Sequence, residues 1–230
     1  LKWAIDRMMK VANNIENISL ITESLIKEAI KIHNEDIQSN HNIGKLGAQL
    51  LSQNTKILTH CNAGALATGG YGTALGVIKY ANYQGKISKV YSTETRPLLQ
   101  GSRLTIWELI NSNIDACSIP DSAAGHLMKL NEINTIIVGA DRITSNGDVA
   151  NKIGTYTLAI LAKIHNINFY VAAPTSTIDM KLTNGSQIPI EERGRTELAR
   201  INNIKIIQDD IKIYNPAFDV TPNKFIKSII

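Results

Sequence analysis

The chain has 230 residues, 43% of them hydrophobic, with 24 Lys and Arg against 20 Asp and Glu for a formal charge of +4. That is enough apolar material for one large or two modest domains. No apolar run reaches the ~20 residues of a membrane span, no cationic and apolar leader opens the sequence, and the scattered basic residues with 5% aromatics do not make the one-sided stripe of a nucleic-acid binder. Two cysteines, Cys61 and Cys117, cannot build a disulfide framework and match no zinc spacing, which suits a reducing cytoplasm.

In chain order, the first 53 residues read as helical. Apolar residues recur at helical spacing through Trp3, Ile5, Met8 and Val11, and again through Leu25, Ile26, Ala29 and Ile30. Breaks are expected near Asn13–Asn14 and Asn34. From residue 54 the pattern changes. Short β-rich runs at Ile57–His60, Lys89–Ser92, Asp115–Ile119, Thr135–Gly139 and Asn168–Ala172 alternate with helical patterns near Thr73–Tyr83, Arg103–Ser112, Ala123–Leu130 and Tyr156–His165. Such alternation predicts a parallel sheet. The chain therefore reads as α/β, with a helical segment at 1–53 and a Rossmann-like catalytic domain at 54–230, helices on both faces of the sheet. A last short helix is expected over Pro222–Ile230.

Open parallel sheets bind ligands at the carboxyl ends of their strands. The residues just after each run are accordingly the candidates. Cys61 ends a strand and precedes the glycine-rich stretch Gly69-Gly70-Tyr71-Gly72. A turn of that kind opening a helix favours phosphate, and a helix N-terminus lowers a thiol pKa. The alternative is a tight turn around a small buried cysteine. Neighbours on a strand point to opposite faces, so His60 is not expected to pair with Cys61. Asp141 follows a buried run, where it is either an acid or the partner of Arg142. Asn151 and Lys152 are expected to start the next helix, Asn151 as a cap or hydroxyl ligand and Lys152 as a phosphate point charge or a solvated cation. After the second run, Arg96 is a phosphate candidate or the partner of Glu94, and Gln100 a hydroxyl ligand or a helix-start residue. The segment Asn215–Pro222 reads as a fixed loop with Phe218 in a core or interface. No Gly-x-Ser-x-Gly elbow and no Walker lysine motif occurs.

Several stretches together resemble the methylthioribose-1-phosphate isomerases. They are Trp3 to Met8, Ile57 to Tyr80, Glu94 to Leu109, Val138 to Leu161, Tyr170 to Asp179 and Tyr214 to Pro222. The run Gly147-Asp148-Val149-Ala150-Asn151-Lys152 is similar across the wider superfamily, which also holds ribose-1,5-bisphosphate isomerases and regulatory subunits of a eukaryotic translation initiation exchange factor. The resemblance implies conversion of 5-methylthioribose 1-phosphate to the 1-phosphoketose in methionine salvage. Asp141 would be the proton donor, Cys61 would assist the transition state, and Gln100, Asn151 and Lys152 would bind substrate. It implies no cofactor, a cytoplasmic homodimer, and a small phosphorylated sugar as the partner. The family also carries an N-terminal Arg-Gly-Ala-type loop and a further arginine on the phosphate. Nothing before Trp3 supplies them, so a weakened phosphate grip is expected. The family's Asp-Asn-Met-Ala-Ala stands here as Asp121-Ser122-Ala123-Ala124-Gly125. Two other readings stay open: an isomerase of another ribose 1-phosphate derivative, and a non-catalytic relative of the initiation-factor subunits.

Overall fold

A computed structural model describes residues 2–202 and 204–230. It begins with α1 (Lys2–Asn13) and α2 (Ile18–Gln49), then β1 (Thr55–Thr59), α3 (Ala74–Tyr83), β2 (Ile87–Thr93), α4 (Ile106–Asn111), β3 (Ala116–Ile119), α5 (Ala124–Lys129) and β4 (Thr135–Val138). β5 (Arg142–Thr144), β6 (Val149–Lys152), α6 (Thr155–Ile164), β7 (Asn168–Val171), β8 (Ile178–Asp179), α7 (Arg195–Ala199), β9 (Arg200–Ile201), β10 (Ile204–Lys205), β11 (Phe218–Thr221) and β12 (Ser228–Ile229) follow. Among the described residues, no helix is long and apolar enough to cross a membrane.

The main sheet has six parallel strands in the order β12-β7-β4-β1-β2-β3. It contains all five strands expected from the sequence. Alternate side chains feed two cores. Ile57, Ile137 and Tyr170 face α2, α3 and Leu109 of α4. Leu58, Ile136, Val138 and Phe169 face α5 and α6. Helices thus cover both faces, and a strand such as β4 is buried throughout because neither of its faces meets water.

Three expectations are corrected. α2 runs unbroken through Asn34, which costs an exposed helix only a fraction of a kcal/mol. Tertiary contacts hold the helix beyond it: Asp36 accepts from Gly69 N–H at 2.7 Å, and Ile43 and Ala48 join the first core. The stretch Pro222–Ile230 is not a helix. It is one short 3₁₀ turn followed by edge strand β12, with Ser228 registered on Tyr170. Nor do Asn151 and Lys152 start a helix; they end β6, and α6 begins at Thr155 after Gly154 turns the chain at φ 105°. β6 belongs to a second sheet, ordered β11-β6-β5-β8.

Candidate active site

The strand order reverses between β1 and β4, because β2 and β3 continue to one side and β7 and β12 to the other. Loops leaving two such strands part and open a crevice. Cys61 follows β1 and Asp141 follows β4, so both reach this crevice. It holds a cavity of about 240 Å³ lined by Cys61, Asp141, Asn151 and Lys152, with Asp36 and Thr68 at its side.

Cys61 sits in the left-handed region at φ 63°. There the β-carbon crowds the following carbonyl, at a cost of ~1–2 kcal/mol. Two contacts hold it: its N–H donates to Thr95 Oγ1 at 2.9 Å, and its carbonyl accepts from Thr105 Oγ1 at 2.5 Å. Tyr71, Thr95 and Leu99, in the loops after β1 and β2, share the positive φ. Strain of this kind persists where the surroundings over-determine it, often at working sites. His60 makes no dyad with Cys61. Its ring is bonded to Thr93 Oγ1 and Ile153 O.

Burial pushes the Cys61 thiol up from its usual range; the Asn62 N–H and Lys152 pull it down, and Asp141 adds to the rise. The helix-terminus effect expected from sequence is absent because α3 begins only at Ala74. The thiol is therefore held neutral. Asp141 is also raised, crowding by protein atoms outweighing the attraction of Lys152. Solvent still reaches it through the cavity. Its neighbour Arg142 pairs instead with Asp179 at 3.3 Å. The Lys152 ammonium has no ion-pair partner among the described residues, and lies 4.6 Å from the centre of the Phe218 ring. That ring holds a cation without neutralising it. Asn151 is buried and donates from Nδ2 to Thr155 Oγ1 at 3.0 Å.

Gln100 does not line this cavity. It lines an adjacent one of about 160 Å³, which Lys152, Phe218 and Asn215 share. Its Oε1 is buried without a hydrogen-bond partner among the described residues. Lys152 is the residue common to both spaces. Arg96 is not a free phosphate ligand here, because its guanidinium donates to the carbonyls of Pro97 and Leu198 at 3.0 and 3.2 Å. Asp121 staples the same loop, accepting from the N–H groups of Thr95 and Arg96 at 2.7 and 2.8 Å.

The glycine-rich loop is not an open phosphate cradle either. Buried Glu108 fills it, accepting from Ala65 N–H at 2.8 Å, Leu66 N–H at 3.3 Å and Asn62 Nδ2 at 3.0 Å, with Lys79 at 3.2 Å. Gly64 permits the approach; a β-carbon there would lie 2.1 Å from Glu108 Oε1. Gly69 N–H is taken by Asp36. Sequence reasoning missed Glu108, Asp36 and the carboxylate of Asp219, which caps α6 by accepting from Gly154 and Tyr156 N–H at 2.7 and 3.0 Å. It also missed Phe218 as the seat of Lys152, a pairing that the β11–β6 register creates by setting the two residues opposite each other.

Residues 1–230 match the Initiation factor 2 subunit family. The chain is 52% identical to the methylthioribose-1-phosphate isomerase of Desulforamulus reducens, covering all of this chain and 67% of that protein. It is 55% identical to the one from Acetivibrio thermocellus, covering all of this chain and 68% of that one. The crystal structure of 5-methylthioribose 1-phosphate isomerase from Pyrococcus horikoshii OT3 superposes with a TM-score of 0.94 at 44% identity, over all of this chain and 64% of that chain. The delta subunit of translation initiation factor eIF-2B from A. fulgidus superposes at 0.89 with 46% identity, over 98% of this chain and 66% of that one. The chain thus spans about two thirds of the length of these relatives. With the full length matched, it belongs to the Initiation factor 2 subunit family.

Proposed function

We propose that this chain carries the active site of an aldose–ketose isomerase that converts 5-methylthioribose 1-phosphate to 5-methylthioribulose 1-phosphate in methionine salvage. One observation carries the reading. The acid of Asp141, the thiol of Cys61 and the ammonium of Lys152, which has no ion-pair partner among the described residues, line one cavity at the switch point of the sheet. The relatives that share this chain over its whole length bear the name of that isomerase.

The substrate is a closed ring, locked by its anomeric phosphate. Opening it requires a proton on the ring oxygen while the bond from C1 to that oxygen breaks. Asp141 delivers this proton, and the crowding that raises its carboxyl above the ordinary range favours the protonated form it needs. A hydrogen then moves from C2 to C1 and the C2 hydroxyl gives its proton to the Asp141 carboxylate, leaving a ketone and restoring the acid. Cys61, whose thiol carries no charge in this pocket, lies beside the reacting carbons. Lys152 holds the phosphate as a point charge. Asn151 bonds a sugar hydroxyl, and Gln100 reaches the substrate from the adjoining space that Lys152 connects. A groove of about 650 Å³ along Trp3, Ile32 and Ile178 meets the cavity at Asp36 and Pro174 and offers apolar room for the 5-substituent. The reading also carries a homodimer in the cytoplasm, for which exposed Trp107 and Ile110 on α4 offer apolar surface.

The test is turnover of 5-methylthioribose 1-phosphate followed by NMR of the ketose, with other 5-modified ribose 1-phosphates in parallel. Cys61→Ser and Asp141→Asn are each expected to remove ketose formation by about a thousandfold or more while circular dichroism is unchanged. Full activity in either variant sinks the assignment. Faster turnover of another ribose 1-phosphate moves the substrate, and no turnover of any sugar favours the non-catalytic reading.

A further inference from the structure

We propose that His60 is a positioning residue that ties the Cys61 strand end to the Lys152 turn. The proposal rests on the isomerase reading for the meaning of those two residues, and on geometry alone for the tie. His60 is 2% exposed and lines, with Thr93 and Gly154, a different space from the cavity that Cys61 lines. Its Nε2 lies 2.8 Å from the carbonyl of Ile153, the residue after Lys152. A carbonyl only accepts, so Nε2 carries the proton and Nδ1 is left as an acceptor. Nδ1 therefore takes the hydroxyl proton of Thr93, 2.6 Å away.

Thr93 Oγ1 is in turn 3.2 Å from Thr95 Oγ1, the atom that accepts the Cys61 N–H. One buried ring thus orients the Thr93 hydroxyl, and the Thr95 hydroxyl, set between Thr93 Oγ1 and the Thr93 carbonyl at 3.3 Å, passes the contact on to the strained cysteine. At its other end it fixes a turn already held by Asp219 on Gly154 N–H and by Ala217 O on Ile153 N–H. The turn packs tightly on the ring, since a β-carbon at Gly154 would lie 3.2 Å from His60 Cε1 and Nε2. The link spans 93 positions of sequence, and it joins two loops that leave different strands of different sheets. Without it, the left-handed Cys61 backbone loses part of what over-determines it, and the thiol moves outward.

The test alkylates the whole chain with iodoacetamide and reads Cys61 and Cys117 separately by peptide mass spectrometry. His60→Gln is expected to raise the rate at Cys61 by about fivefold or more while Cys117, on β3, keeps its rate. Thr95→Val is expected to do the same, and the double variant to exceed neither by more than about twofold, because both cut one chain. In parallel kcat for the sugar phosphate falls by about tenfold to a hundredfold. If His60→Gln does not fold, His60→Asn, which is too short to reach the Ile153 carbonyl and so cuts the tie at that end, replaces it with the same readouts. An unchanged Cys61 rate, an equal rise at both cysteines, or additive effects overturns the proposal. A wild-type chain with no turnover refutes the isomerase reading and leaves the alkylation result standing.

Discussion

The loop after β1 has two halves that look alike in sequence and behave oppositely. The first half, with Cys61 and Asn62, opens onto the cavity it shares with Asp141 and Lys152. The second, Gly64 to Gly72, is richer in glycine and meets the same cavity at Ala67 and Thr68, but has already spent key donors on Glu108 and Asp36. Both halves are strained, Cys61 and Tyr71 alike at positive φ. The difference lies in which polar groups remain unpaired. Anion-binding capacity follows the free donors and cations, and here Lys152 lines the cavity with no ion-pair partner among the described residues.

The largest effect expected from breaking this division comes from Glu108→Ala. Glu108 is 3% exposed at its side chain and shares its charge with Lys79 and three N–H donors. Removing one partner of a buried ion pair costs about 3–5 kcal/mol, and thermal melting should register the loss. The emptied loop then becomes the phosphate cradle that its glycines suggest. Millimolar inorganic phosphate should raise the melting temperature of the variant more than that of the wild type. A variant that melts like the wild type, or is blind to phosphate, removes the distinction between the two halves.

Lys152→Met sharpens the comparison from the other side. No ion pair among the described residues is lost and the apolar stem is kept, so melting should fall only by the contact with the Phe218 ring, about 1 kcal/mol. The KM for the sugar phosphate should rise by about tenfold to a hundredfold, equivalent to roughly 1.4–2.8 kcal/mol, with a smaller change in kcat. Loss of the cation should also push the Cys61 thiol further up, since Lys152 pulls it down. A pH series of iodoacetamide labelling checks that shift. An unchanged KM would move the phosphate to another part of the site.

The sequence made the first half of this picture legible and hid the second. Parallel strands are buried on both faces, so their apolar runs stand out, and Cys61 and Asp141 follow directly from where those runs stop. The left-handed backbone of Cys61 carries no local signature, because Thr95 and Thr105, far along the chain, hold it there. Glu108 lies on a short helix beside Trp107, Leu109 and Ile110, and a lone carboxylate in so short an apolar run does not show which distant loop it enters. Asn151 and Lys152 read as a helix start because Asn and Gly are cap-like residues. Their pairing with β11, more than 60 positions away, makes them strand instead. The chain's last residues read as a helix for the same reason: registry on β7 decides them, and that registry is tertiary.

The smallest effect expected is a change in pH dependence at Asp219, which holds the turn between Lys152 and α6. Burial raises its carboxyl from an ordinary 3.8 to about 6, against the two N–H groups it accepts from. The folded chain therefore binds this proton more tightly than the unfolded chain does. The stability it contributes is complete below about pH 4 and is lost as the pH rises through about 6. Asp219→Asn cannot titrate, so the melting temperature of the wild type should fall relative to the variant across that window. With partial solvent access the difference is on the order of 1 kcal/mol, or about 2–4 °C. Parallel curves from pH 4 to pH 7 would mean that the cap binds its proton equally in both states. A wild-type curve that instead rises against the variant would mean that the two N–H bonds to the carboxylate outweigh its burial, and that the turn carrying Lys152 is held most firmly at neutral pH.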